Sequence, residues 1–97
     1  SQPKALTGDE IIGTVAAFFN IKISDLKGTR RLKRFVRPRH IAMWMVREHT
    51  QHSFPEIGRL FGRDHATVQH ACKKIRASRE SDADLKSTIE ALKRNLS

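Results

Sequence analysis

The sequence has few of the features that mark secreted, membrane-spanning or disulfide-stabilised proteins. Cys72 is the single cysteine in 97 residues, so no internal disulfide can form, which fits a reducing compartment. No apolar run approaches the roughly 20 residues that a membrane span requires. The N-terminus also lacks the basic and apolar segments of a signal peptide. These absences predict a cytoplasmic protein that does not enter a membrane.

Motifs for catalysis and cofactor binding are also missing. His65, His70 and Cys72 are close in sequence, but none of the usual zinc spacings occurs. No G-x-x-x-x-G-K-[ST] phosphate loop is present, and no carboxylate pair or Ser/His/Asp set stands out. Cys72 falls on the predicted buried face of a helix, where a thiol is inert. We therefore predict no metal site and no enzymatic activity. We also predict no cofactor in this chain, and ATP would bind a separate domain if one exists.

Acidic residues are scarce relative to basic ones. The 10 Asp and Glu stand against 19 Lys and Arg, which gives a net charge of +9 and a pI near 10.7. Such an excess indicates a polyanionic partner, most often nucleic acid or an anionic membrane surface. The basic residues concentrate between Lys27 and Arg39, in a stretch without acids from Asp25 to Glu48. A charge run is usually a solvated face. This run has one sign and lies in a predicted loop, which can lay arginines along phosphates or into a minor groove.

The stretch from residue 53 to residue 75 predicts two short helices joined by a tight turn. Ser53 and Glu56 form an S-x-x-E capping box at the start of the first helix. Gly62 ends it, because glycine enters the left-handed region cheaply, and Asp64 caps the second helix. The buried face of that second helix contains Val68, Ala71, Cys72 and Ile75. This pattern is typical of a helix-turn-helix, although many helical proteins that never touch DNA share it.

Capping residues place the other helices. Thr7 caps a first helix, and Ser24 caps a single turn before the basic loop. Pro38 suits the first position of the next helix, where its missing N–H costs little. Ser81 or Asp82 caps a last helix that closes the core.

The length of the chain suits one domain with a modest core. We assign residues 1–6 to a linker or lead and residues 7–97 to a single helical DNA-binding domain. The predicted fold class is all-α, with five or six helices that include the helix-turn-helix and the basic loop before it.

Three segments carry a specific family pattern. They are R-P-R-H-I-A-M-W-M (37–45), H-S-F-P-E-I-G-R-L-F-G (52–62) and R-D-H-A-T-V-Q-H-A-C-K-K-I (63–75). These segments closely resemble the C-terminal DNA-binding domain of the bacterial chromosomal replication initiator DnaA, and the likeness covers almost the whole chain. The resemblance implies a small helical fold that binds short asymmetric boxes at replication origins and promoters as a monomer. The family's neighbouring ATPase domain is not in this sequence.

The resemblance implies which residues would read the two grooves of a duplex. Arg31, in the basic loop, would be the minor-groove arginine. Asp64, His65 and Ala66 would face base edges in the major groove, and Pro55 would make an apolar contact there.

The other implied contacts are mainly with phosphates. They belong to Lys33, Arg39, His40, Arg47, Thr67 and His70, with Arg47 also able to reach a base. Gln69 and Lys73, on the open side of the second helix, complete the DNA-binding set.

The chain departs from the family pattern at three points. Gly62 stands alone where two glycines are usual, Ala66 replaces threonine or serine, and Gln69 replaces a residue that is often apolar. These differences bear on the preferred base sequence. They also leave open a stand-alone protein built on the initiator's DNA-binding fold.

Two other partners are alternatives to duplex DNA. In the first, the basic surface meets an acidic region of an initiator or regulatory protein, and the chain acts through protein–protein interaction. The second is RNA, which the composition favours less, because the six aromatic residues include no tyrosine and most lie on core faces.

Overall fold

The computed structural model describes residues 5–96. No strand occurs within this part of the chain, and most of it is helical. The helices are α1 Gly8–Phe18, α2 Ile23–Leu26, α3 Lys33–His49, α4 Phe54–Phe61, α5 His65–Ser78 and α6 Ala83–Leu96. The predicted all-α class is confirmed, with α4 and α5 as the helix-turn-helix. Most of the predicted lead, residues 1–4, lies outside the described residues. No helix between residues 5 and 96 has the length and apolar character to cross a bilayer.

The helix α3 lies at the centre of the fold. It packs against α1, α2, α4 and α5, and its six consecutive side chains from Ile41 to Val46 are all buried. A helix that is apolar on every side must be covered by neighbours all round. Met43 and Trp44 therefore belong to the core.

The start of α3 differs from the prediction. Pro38 is the sixth residue of the helix, not the first. The helix begins after Leu32, whose carbonyl accepts from the backbone N–H groups of Phe35 and Val36 at 2.9 and 3.0 Å. This early start buries the ring of Phe35, and burial of a ring offsets the backbone hydrogen bond that an internal proline removes. The basic loop is consequently shorter than expected and covers residues 27–32.

The turn of the helix-turn-helix is built as predicted. Ser53 Oγ accepts from the backbone N–H of Glu56 at 3.2 Å, and Glu56 Oε1 accepts from Ser53 N–H at 2.9 Å. Gly62 ends α4 in the left-handed region with φ of 64°. Asp64 Oδ1 then accepts from Thr67 N–H at 2.8 Å and starts α5. These caps fix where the exposed end of α5 begins.

The predicted cap is present at the start of α6 but not at the start of α2. Asp82 caps α6, because its Oδ1 accepts from Leu85 N–H at 3.0 Å. Its other oxygen pairs with Arg37 at 3.2 Å, which ties the start of α6 to α3. The helix α6 packs against α1 and closes the core. The single turn α2 is confirmed, but Ser24 as its cap is wrong: its N-cap is Lys22, with no side-chain hydrogen bond.

Candidate functional site

The helix α5 presents its first turn and one polar face to solvent. Its apolar face is buried as predicted and consists of Val68, Ala71, Cys72 and Ile75. Core packing therefore fixes which side of the helix is open. The predicted DNA-binding residues at its cap and along it are all exposed: Asp64, His65, Ala66, Thr67, Gln69, His70 and Lys73. Hydrogen bonds from Thr67 hold the pKa of Asp64 below its ordinary 3.8, so this cap is a charged acceptor at neutral pH.

The basic loop lies beside the exposed end of α5. Thr29 and Arg31 line one side of an open cleft, and Gly62, Arg63 and Thr67 of the helix-turn-helix line another. Arg31 is exposed. The loop and the first turn of α5 therefore share one face of the molecule, which we call the basic face.

Two further clefts extend the basic face along α3 and α5. The first is lined by Lys33, Arg37, His40 and Lys74 together with apolar side chains. The second is lined by Arg47, Phe54, Gln69, Cys72, Lys73 and Arg76. Pro55 is exposed in the first turn of α4. Most of the predicted DNA-binding residues are thus available to a ligand, although their contacts with DNA stay predictions.

Arg39, a predicted phosphate contact, lines the cleft next to the basic loop but is only 4% exposed. Its Nε donates to the carbonyl O of Leu26 at 2.6 Å. Its Nη1 and Nη2 donate to the carbonyls of Arg30 at 3.1 Å and Asp25 at 2.9 Å. Burial and the nearby charge of Arg63 lower the pKa of Arg39. In the free domain Arg39 thus fastens the backbone of the loop to α3, and a contact with phosphate stays a prediction.

Arg47 is partly engaged within the protein. Its Nη1 donates to the carbonyl O of His52 at 3.1 Å. Its guanidinium carbon lies 4.1 Å from the centroid of the Phe54 ring, in cation–π geometry. These contacts steady the turn between α3 and α4. The side chain still lines the cleft next to Gln69 and Lys73, so contact with a base or phosphate remains a prediction.

His40 lies on α3, between the basic loop and α5. It is half-buried and lines both clefts that the loop and α5 share with α3. Burial lowers its pKa below the ordinary 6.5, and the charges of Lys74, Arg39 and His70 lower it further. His40 is therefore neutral at pH 7 in the free domain. A phosphate beside it would favour its charged form.

This environment predicts a pH-dependent stability. The unfolded chain, with an ordinary histidine pKa of 6.5, takes up a proton before the folded domain does. Stability should therefore be full above about pH 6.5 and should fall as the pH drops through the lowered pKa of folded His40. Urea unfolding at about pH 7.5 and about pH 5.5 measures the change, and His40→Gln should remove most of it. If His40→Gln loses as much stability between these two pH values as the native domain does, the assignment to His40 is contradicted.

Arg63 is a residue to which the sequence assigned no role. Its Nη1 donates to the carbonyls of Lys27 at 3.4 Å and Phe61 at 3.3 Å. Its Nη2 donates to the carbonyl of Gly28. The turn of the helix-turn-helix is thereby joined directly to the basic loop. Its sequence signal was only the position, a basic residue between a left-handed glycine and a helix cap.

The described residues also bear on metal binding and thiol chemistry. Between residues 5 and 96, no three His, Cys, Asp or Glu side chains are grouped so that they could hold a metal ion. Cys72 is buried as predicted, and burial raises the pKa of its thiol to about 11. The thiol is therefore protonated at neutral pH and does not act as a nucleophile.

Comparison with models of protein families gives a match over most of the chain. A family model described as the helix-turn-helix of the bacterial DnaA protein matches residues 8–75. The match spans α1 to most of α5, including the basic loop, and covers well over half of the 97 residues.

Proposed function

Since the chain belongs to the family of the bacterial DnaA helix-turn-helix domain, we propose that it binds specific sites in double-stranded DNA as a replication initiator does. The observation that carries this proposal is the shared cleft of Arg31 and Thr67. Because the basic loop and the first turn of α5 lie on one face, a single duplex can meet both. In this proposal α5 enters the major groove N-terminus first, and Arg31 enters the neighbouring minor groove.

The exposed end of α5 has groups suited to base edges. The carboxylate of Asp64 can accept from a cytosine amino group, and the methyl of Ala66 can touch a thymine methyl. His65 is exposed next to them. In the loop, the exposed guanidinium of Arg31 suits the negative potential of a narrow minor groove. These contacts would specify sequence.

The clefts beside these elements provide phosphate contacts. Lys33 and His40 line clefts on the α3 side, and Thr67 and Lys73 line clefts on the α5 side, where His70 is exposed. Lys74, to which the sequence assigned no role, lines the cleft between them. Phosphate contacts fix register and orientation without reading sequence. With two grooves read by one chain, a monomer would gain the specificity that dimers obtain from two half-sites.

The biological role follows from this mode of binding. The domain would recognise boxes at replication origins and promoters and would serve replication initiation and its regulation, including transcription. It would have no enzymatic activity and no cofactor of its own. A cytoplasmic, nucleoid-associated location follows from binding to chromosomal DNA.

Single substitutions should separate the two kinds of contact. Arg31→Ala and His65→Ala should each weaken binding to the preferred box by about 1–3 kcal/mol and reduce its discrimination from a scrambled box. Lys33→Ala should weaken both duplexes alike, because a phosphate contact carries no sequence information. Fluorescence titrations with labelled duplexes measure this, after selection of the box from random duplexes. Arg94→Ala, on the exposed face of α6, is the charge-matched control. If all these variants lose the same affinity on every duplex, the division into base contacts and phosphate contacts is refuted.

A protein-binding role is the second candidate. Phe18, Ile23 and Leu32 are large apolar residues that are 39%, 48% and 49% exposed, which provides apolar surface in addition to the charged side chains. No preference between the selected and scrambled boxes, together with tight binding to an initiator or regulatory protein, would favour this role over DNA recognition.

A further inference from the structure

Two arginines hold the basic loop by its backbone. Arg39, on α3, binds three carbonyl groups in the segment 25–30, as described above. Arg63, in the turn between α4 and α5, binds the carbonyls of Lys27 and Gly28 in the same segment. Five carbonyl groups of one short segment therefore accept hydrogen bonds from two guanidinium groups.

These carbonyls need partners because of where they lie. The segment begins in the last turn of the short helix α2 and continues into the loop, so most of its carbonyls have no backbone partner within the helix. A guanidinium group supplies several donors in a fixed plane and can satisfy more than one of them. Ordering a flexible backbone costs conformational entropy at every residue. A loop that is ordered before it meets DNA avoids that cost during binding.

The two arginines connect the loop to different parts of the protein. Arg39 is buried and joins the loop to the central helix. Arg63 is half-buried and joins it to the helix-turn-helix, immediately before the cap Asp64. The backbone around Arg63 is itself tightly packed, because a Cβ added at Gly58 would lie 2.4 Å from the carbonyl O of Arg63. Arg63 is thus fixed to α4 on one side and to the loop on the other.

We propose that Arg63 is a positioning residue for DNA recognition. Its guanidinium sets the spacing between the basic loop, which carries Arg31, and the first turn of α5. It acts through the loop backbone and not through a contact with a base. This inference rests on the proposed function, because spacing matters only if both elements meet one duplex.

A double-mutant cycle tests the proposal. Affinities for the selected box are measured for the native protein, Arg31→Ala, Arg63→Ala and the double variant. Arg31→Ala alone should reduce affinity about ten-fold or more. In the Arg63→Ala background the further loss should be less than about two-fold, because the released loop no longer delivers Arg31 to the groove. Affinity for the scrambled box should fall no more than in the Arg94→Ala charge control.

The conservative variant separates geometry from charge. Arg63→Lys keeps the positive charge but has one nitrogen in place of a planar fork, so it cannot reproduce all the carbonyl contacts. Arg63→Lys should bind the scrambled box with native affinity. In the Arg63→Lys background, Arg31→Ala should reduce affinity for the selected box by a factor between those found in the native and Arg63→Ala backgrounds. If Arg63→Ala does not fold, as judged by circular dichroism, the same cycle with Arg63→Lys gives the test. If Arg31→Ala reduces affinity for the selected box as much in the folded Arg63 variant as in the native protein, the positioning role is overturned.

A measurement without DNA distinguishes this inference from the proposed function. ¹⁵N relaxation of the free protein reports loop motion on the ps–ns timescale. The amides of residues 27–31 should gain mobility in the Arg63 variants and stay ordered in Arg94→Ala. Unchanged order in the Arg63 variants would overturn the inference. If Arg31→Ala has no effect in the otherwise native protein, the minor-groove part of the proposed function fails, and the mobility result alone then decides whether Arg63 orders the loop.

Discussion

Arg39→Ala is expected to lower the free energy of unfolding by roughly 3 kcal/mol, because three hydrogen bonds from a charged group to backbone carbonyls disappear together. In a domain of this size such a loss lowers the melting temperature by about 12–24 °C. It is also a large part of the total, since domains have only about 5–15 kcal/mol of stability. Thermal and urea unfolding followed by circular dichroism measure the change.

Arg31→Ala is the matched control for this experiment. It removes the same side chain from the same basic run, but its arginine is exposed. Exposed substitutions without special contacts change stability by no more than about 0.5 kcal/mol. Small and equal effects of the two substitutions on stability would show that Arg39 is not needed to hold the loop.

Affinity for the preferred box should fall by a factor of about 10³–10⁴ when monovalent salt rises from about 50 mM to about 200 mM. The reason is counterion release. If about 6–8 phosphates are neutralised, log affinity falls with log salt at a slope of roughly −5 to −7. The exposed cations of the basic face and the net charge of +9 support a footprint of this size. Fluorescence anisotropy at several salt concentrations gives the slope.

Two variants test which residues contribute to that slope. Lys33→Ala removes one proposed phosphate contact and should reduce the slope by about 1. Arg39→Lys keeps a charge at a buried position and should leave the slope unchanged, provided that the variant is folded. A slope close to zero for the native protein would exclude phosphate contacts as the main source of affinity.

The sequence was most informative where structure depends on residues close in the chain. The caps at Ser53 and Asp64, the left-handed turn at Gly62 and the buried face of α5 each depend on neighbours within one or two helical turns. These local rules placed the exposed end of α5 correctly. They also placed Asp82 correctly among the candidate caps of α6.

The errors arose where distant contacts decide the outcome. A local rule placed Pro38 at the start of a helix, but burial of Phe35 extends α3 by five residues before it. The resemblance placed Arg39 among the phosphate contacts, but its partners in the fold are carbonyls 9 to 14 residues earlier, at the end of α2 and in the basic loop. The role of Arg63 likewise depends on carbonyls about 35 residues away in the chain. A charge run reports how many cations are present and not which of them have partners inside the fold.

A titration of ¹⁵N-labelled protein with a short duplex carrying the selected box tests the two-groove arrangement most directly. The amides of residues 29–33 and 64–67 should shift together and saturate at one protein per duplex, while the amides of α6 should stay in place. Shifts confined to only one of the two segments, or centred on α6, would contradict the account.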